Sequence, residues 1–176
     1  NDFTTFDELL VRINEERLQS PENAIRSLEY AYEYYLEQED TLLAVKSLAE
    51  SAINYGHLVQ YQKAYDNLWS ALFLADESQN DLAKVLVYLQ LGRYYSFYKR
   101  KDTAIDYLNK ALHLSKNMVE VDSSSTEELI GCYYTLAYTY RELGDGEQAR
   151  LYLDSCYILV KDNDEDIITN YLDVEN

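Results

Sequence analysis

Small and large apolar residues return in a fixed order along this chain. Ala52 and Tyr55 are followed by Ala64, Leu68 and Ala71; Gly92 and Tyr95 by Ala104, Leu108 and Ala111; Ala137 and Tyr140 by Ala149, Leu153 and Cys156. Spacings of three, four and seven place each group on one helix face. Two such faces separated by a short polar stretch predict a helical hairpin whose members bury their stripes against each other. Ala24, Ala64, Ala104 and Ala149 mark the second helix of successive hairpins at intervals of 40, 40 and 45 residues. A period between 20 and 50 residues is the mark of a stacked-repeat architecture.

The pattern predicts hairpins over about 7–39, 41–79, 82–117 and 126–162, followed by a terminal helix over about 165–175. In the first, Ser20 and Pro21 form a helix-start signal, a capping side chain before a preset φ. In the second, Leu48, Ala52 and Tyr55 oppose Ala64, Leu68 and Ala71. In the third, Gly92 lies in mid-helix, where glycine costs about 1 kcal/mol relative to alanine, so it is expected to admit a close helix contact. A polar insertion between Lys116 and Glu127 accounts for the longer last interval. Ser125 with Glu128 reads there as a capping box that restarts the helix. Leu143, Gly144, Asp145 and Gly146 supply the last hairpin turn. Ile167, Ile168, Tyr171 and Leu172 then place one apolar stripe on the terminal helix, either half of a fifth hairpin or a cap. The chain opens on Asn1 and stops within a period, which suggests a piece of a longer protein.

Composition agrees with an all-α chain. One proline and five glycines in 176 residues argue for long helices with few turns, and the length corresponds to a single domain. Nineteen tyrosines make tyrosine the expected packing residue. A formal net charge of −17 repels phosphate backbones, which disfavours a nucleic-acid ligand for this segment. With no apolar run of membrane-spanning length, no bilayer insertion is expected. An acidic chain with two cysteines fits the cytoplasm and the periplasm equally.

The stretch Leu136, Ala137, Tyr140, Leu143, Gly144, Ala149, Leu153 and Cys156 resembles the tetratricopeptide repeat family, and Leu91, Gly92, Tyr95 and Ala104 repeat the resemblance. The first hairpin shares it only through Ala24, Leu28 and Ala31. The longer, 40-residue period is similar to that of bacterial regulators whose repeat regions sense peptides or proteins. What the resemblance implies is a right-handed α-α superhelix of about four hairpins, whose inner groove is lined by the first helix of each and takes a protein or peptide. The lining stripe beside the packed face is then Ala49, Ile53 and His57, next Leu89, Arg93 and Phe97, and then Tyr134, Tyr138 and Arg141. Each of these could equally pack against a neighbouring repeat. Aromatic surface with two arginines suits a ligand carrying apolar side chains and a carboxylate. Ile53, Arg93 and Tyr138 stand where family members that clamp chaperone tails carry asparagines, which disfavours that ligand class.

No catalytic chemistry is expected. His57 and His113 stand on different helices with no second ligand at i+4, so neither reads as a metal ligand. Cys132 and Cys156 fall at similar heights on antiparallel helices, compatible with a disulfide in an oxidising compartment and with a pair of buried free thiols. Asp162, Asp164, Asp166 and Asp173 imitate a calcium-loop spacing, yet Ile167 stands where such a loop needs glycine. There is no phosphate loop, no serine elbow and no cysteine with an apposed histidine. The expectation is a non-catalytic binding scaffold without cofactor or metal. The alternatives are the sensory region of a larger bacterial transcriptional regulator or membrane-anchored signalling protein, and self-association through the open ends of the stack.

Overall fold

The computed structural model describes residues 5–121 and 126–162. These form eight α-helices and, among the described residues, no strand: α1 (Phe6–Gln19), α2 (Pro21–Glu37), α3 (Thr41–His57), α4 (Tyr61–Ser78), α5 (Asp81–Phe97), α6 (Lys101–Val121), α7 (Thr126–Glu142) and α8 (Gly146–Asp162). The all-α expectation holds. The terminal helix over 165–175, the capping role of Ser125 and the aspartates beyond Asp162 lie outside the described residues.

Local chemistry sets the helix starts. The Thr5 hydroxyl accepts from the Glu8 amide at 3.2 Å, Asp40 from Leu43 at 3.0 Å, Asn80 from Ala83 at 3.0 Å and Asp145 from Gln148 at 3.2 Å, each satisfying an amide that the helix leaves without a partner. Pro21 opens α2 as expected, but the Ser20 side chain makes no capping bond, and its carbonyl receives the amides of Asn23 and Ala24 instead. α6 continues a turn past Lys116 to Val121, because no breaker intervenes and Met118 and Val119 are half-buried.

Three hairpin turns share one backbone solution that the sequence displays only once. Val59, Lys99 and Gly144 all adopt positive φ, at 61°, 57° and 80°. In each, the next amide returns to a carbonyl five residues back: Gln60 to Tyr55, Arg100 to Tyr95 and Asp145 to Tyr140, at 2.8 to 2.9 Å. This is the bonding that closes a helix through a left-handed residue. Glycine adopts that conformation at no steric cost, whereas Val59 and Lys99 occupy it under strain.

The packing divides the chain into two compact units, Asn1–Val87 and Tyr88–Asn176, with the division inside α5. In unit 1, α1 packs on α2, α2 on α3 and α3 on α4. Its core gathers Phe6, Leu9 and Ile13 against Ala24, Leu28, Ala31, Tyr35 and Ala44. The Phe6 and Tyr35 rings meet edge to face at 5.8 Å. In unit 2, α6 packs on α7 and α7 on α8, and Leu91, Leu108, Ile130 and Leu136 are fully buried. Burying a side chain of that size contributes roughly 1.5 to 3 kcal/mol. Gly92 does what its position implied: a Cβ there would lie 2.5 Å from Leu108 Cγ and Cδ2, so α5 and α6 touch where only hydrogen fits. Tyrosines fill the rest of both hairpins. Tyr107 lies 5.9 Å from Tyr88 and stacks on Tyr95 at 5.7 Å; 45 residues on, Tyr152 lies 6.2 Å from Tyr133 and stacks on Tyr140 at 5.5 Å.

Candidate binding site on the first helices

The nine stripe residues end up in three different environments. Ala49 and Leu89 are buried, at 5% and 8% exposure, and offer no surface to a ligand; their side chains serve packing. On α3 in unit 1, Ile53 is half-buried and His57 exposed. In unit 2, Tyr134 is half-buried on α7, and Arg93, Phe97, Tyr138 and Arg141 are exposed, Phe97 at 64% and Tyr138 at 45%. His113, on α6, is also exposed.

Three of the four exposed residues in unit 2 converge. Arg93 and Phe97 from α5 and Tyr138 from α7 line a cavity of about 400 Å³, together with Ser96, Lys99, Thr139 and Glu142. The Arg93 guanidinium donates to Thr135 Oγ1 at 3.0 Å and thereby ties α5 to α7. Lys99 Nζ donates to the Glu142 carbonyl at 3.4 Å, so the strained turn residue brings a second cation to the rim. Arg141 stands outside the lining with its guanidinium 5.0 Å from the Tyr138 ring centroid, a cation–π contact that restrains the ring. A chain of net charge −17 thus brings Arg93, Lys99 and Arg141 together around a cavity with one lining carboxylate, Glu142.

Thr139 marks the cavity wall. Its residue is fully buried, and its hydroxyl has no hydrogen-bond partner. A buried hydroxyl left unsatisfied costs roughly 1 to 3 kcal/mol. Sequence reading passed over Ser96, Lys99, Thr139 and Glu142. Thr139 could have been found, since with Thr135 it places two hydroxyls at i, i+4 beside the buried Leu136 and Ala137. Lys99 could not, because its place depends on the turn's left-handed backbone.

Unit 1 carries a polar seam at corresponding positions. Arg17 from α1 reaches Glu50 Oε2 at 2.8 Å and Asn54 Oδ1 at 3.2 Å on α3, and the Asn54 amide is secured by the Glu50 carbonyl at 2.9 Å. Asn54 is fully buried. By the repeat intervals, Glu50 and Asn54 correspond to Thr135 and Thr139.

Among the described residues, no group of three His, Cys, Asp or Glu could hold a metal ion, and no helix is long and apolar enough to cross a membrane. Cys132 and Cys156 are free and buried. Burial pushes the Cys132 thiol up to about 11, aided by the Glu128 charge and opposed by the Ser115 hydroxyl, 3.1 Å away, and by Arg93. Burial likewise raises Cys156. Both are protonated thiols near neutrality, poor nucleophiles and poor metal ligands.

A family model described as tetratricopeptide repeat matches residues 85–118 and 130–157, which include the Arg93, Phe97 and Tyr138 positions. No curated protein matches the sequence.

Proposed function

Given that the chain is a tetratricopeptide repeat protein, a family whose repeats generally mediate protein–protein interaction, we propose that it is a non-catalytic scaffold that binds a protein or peptide on the first-helix face of unit 2. The observation that carries this reading is the convergence of Arg93, Phe97 and Tyr138, from two different first helices, on one cavity of about 400 Å³. A ring exposed at 64% beside one at 45% offers the aromatic anchors on which binding energy concentrates, and the neighbouring cations orient a polar partner. Arg141 holds Tyr138 in place. Ile53 and His57 extend the same kind of face on α3 within unit 1.

Selection of peptides from a random displayed library tests the reading. Peptides selected by the native chain should lose at least tenfold in affinity for Arg93→Glu combined with Tyr138→Ala and bind Arg150→Gln unchanged. Selected peptides that ignore the double substitution would place the binding surface elsewhere.

A further inference from the structure

The second helices of the hairpins bury similar stripes and differ on the opposite side. In α4, Ala64, Leu68, Ala71 and Ala75 are buried, so spacings of three and four put Asp66, Trp69, Phe73, Asp76 and Glu77 on the side turned away from them. All five are exposed. Forty residues earlier, α2 has Glu29 and Glu33 where α4 has Trp69 and Phe73; forty later, α6 has Asn109 and His113; α8 has Asp154 and Ile158. This side is polar in α2 and α6, and α4 alone sets two aromatic rings on it. Phe73 is 69% exposed and Trp69 40%, one turn apart. Adjoining exposed rings, unlike single scattered ones, mark a contact surface. The Trp69 ring already meets Tyr65 edge to face at 5.9 Å, so less freedom is lost when a ligand seats on it. Three carboxylates, Asp66, Asp76 and Glu77, share this side, and the one cation of α4, Lys63, lies 5.2 Å from the centroid of the Tyr55 ring.

We propose that this side of α4 docks a basic amphipathic helix of another protein, with its apolar residues on Trp69 and Phe73 and its lysines or arginines against Asp66, Asp76 and Glu77. The surface belongs to a second helix of unit 1 and does not depend on the reading given above for unit 2. Rings one helical turn apart match apolar residues that recur every three or four positions, the spacing a partner helix presents. Apolar burial supplies the affinity, and the opposite charges set orientation and association rate. A second copy of this chain would bring a net charge of −17 to an acidic surface, and an anionic lipid headgroup meets the same repulsion. A basic helix is favoured on both counts.

Trp69 is the one tryptophan of the chain, so its fluorescence reads this surface directly. The probes are three capped peptides without tryptophan: one of leucine and lysine with the leucines on a single helix face, one of the same composition with the leucines scattered, and the first with glutamate in place of lysine. Titrated into the whole chain, the first should move Trp69 emission to shorter wavelength and bind about tenfold tighter than the scattered peptide. The glutamate peptide should leave the emission unchanged. Phe73→His, which copies α6, should lose about tenfold in affinity for the first peptide. Asp76→Asn combined with Glu77→Gln should lose about threefold, a loss that added salt removes. Arg93→Glu combined with Tyr138→Ala should leave the Trp69 response as it is, which separates this surface from the cavity of unit 2. Circular dichroism establishes that each variant remains helical. Unchanged emission with the first peptide overturns the inference, as do equal binding of the scattered or glutamate peptide and indifference to Phe73→His. Loss of the response in the unit 2 double substitution overturns it as well. Emission that moves with protein concentration alone overturns it in favour of a second copy, and emission that moves with phosphatidylserine vesicles overturns it in favour of lipid.

Discussion

The seam between α1 and α3 is closed, whereas the one between α5 and α7 is open, although the residues that α3 and α7 contribute stand at the same repeat positions. Glu50 and Asn54 fill the first around Arg17. Thr135 and Thr139 leave the second with a cavity and an orphan hydroxyl. The difference teaches which positions of a repeat are free to vary. The apolar periodicity is kept throughout, and the polar residues between the stripes decide whether an arginine is consumed in holding helices together or also lines an open cavity. The closed seam serves stability, and the open one sacrifices some.

Breaking the closed seam should have the largest effect. Asn54→Val removes an acceptor of Arg17 and a donor to the Glu50 carbonyl in a fully buried place, and should cost about 2 to 3 kcal/mol, read as a lower denaturation midpoint at constant slope. Gly92→Ala tests the packing that supports the open seam. Its gain in helix propensity, about 1 kcal/mol, is outweighed by the collision with the fully buried Leu108, giving a net loss of about 1 to 2 kcal/mol. Combining it with Leu108→Val should cost less than the two losses added, since the smaller valine relieves the collision that the alanine introduces. Thr139→Val should have the opposite sign from Asn54→Val, stabilising the free protein by up to about 1 kcal/mol, because the hydroxyl it removes has no partner. A loss of stability there would show that the hydroxyl is satisfied and that the two seams are alike.

The smallest effect concerns pH. The folded Cys132 holds its proton up to about 11, above the ordinary value of 9.0. Between those values the native state binds more protons than the unfolded one, so stability is fully present below pH 9 and declines as pH rises toward 11. Cys132→Ala should flatten that decline. Iodoacetamide at pH 8 should leave Cys132 unmodified in the folded chain and alkylate it in denaturant.

Much of this was legible in the residues alone. The alanine intervals, the Tyr and Leu positions and the Gly92 contact follow from helical periodicity, which reports on how a helix meets its partner one turn at a time. Of the nine stripe residues, Ala49 and Leu89 are buried instead of exposed, because the width of an apolar stripe varies with the neighbouring helix and not with local spacing. The left-handed turns at Val59 and Lys99 were invisible for a related reason: tertiary closure of the hairpin holds them against their own preference.

The sequence by itself determined that the chain is a series of helical hairpins, where each begins and which faces they bury, since these depend on residues three and four apart. Only the tertiary structure decided that Lys99 and Thr139 belong with Arg93 and that their shared space is unfilled. Those residues come from a turn and two helices separated by about 40 positions, and whether side chains fill the volume between such elements depends on packing in three dimensions, which no local pattern records.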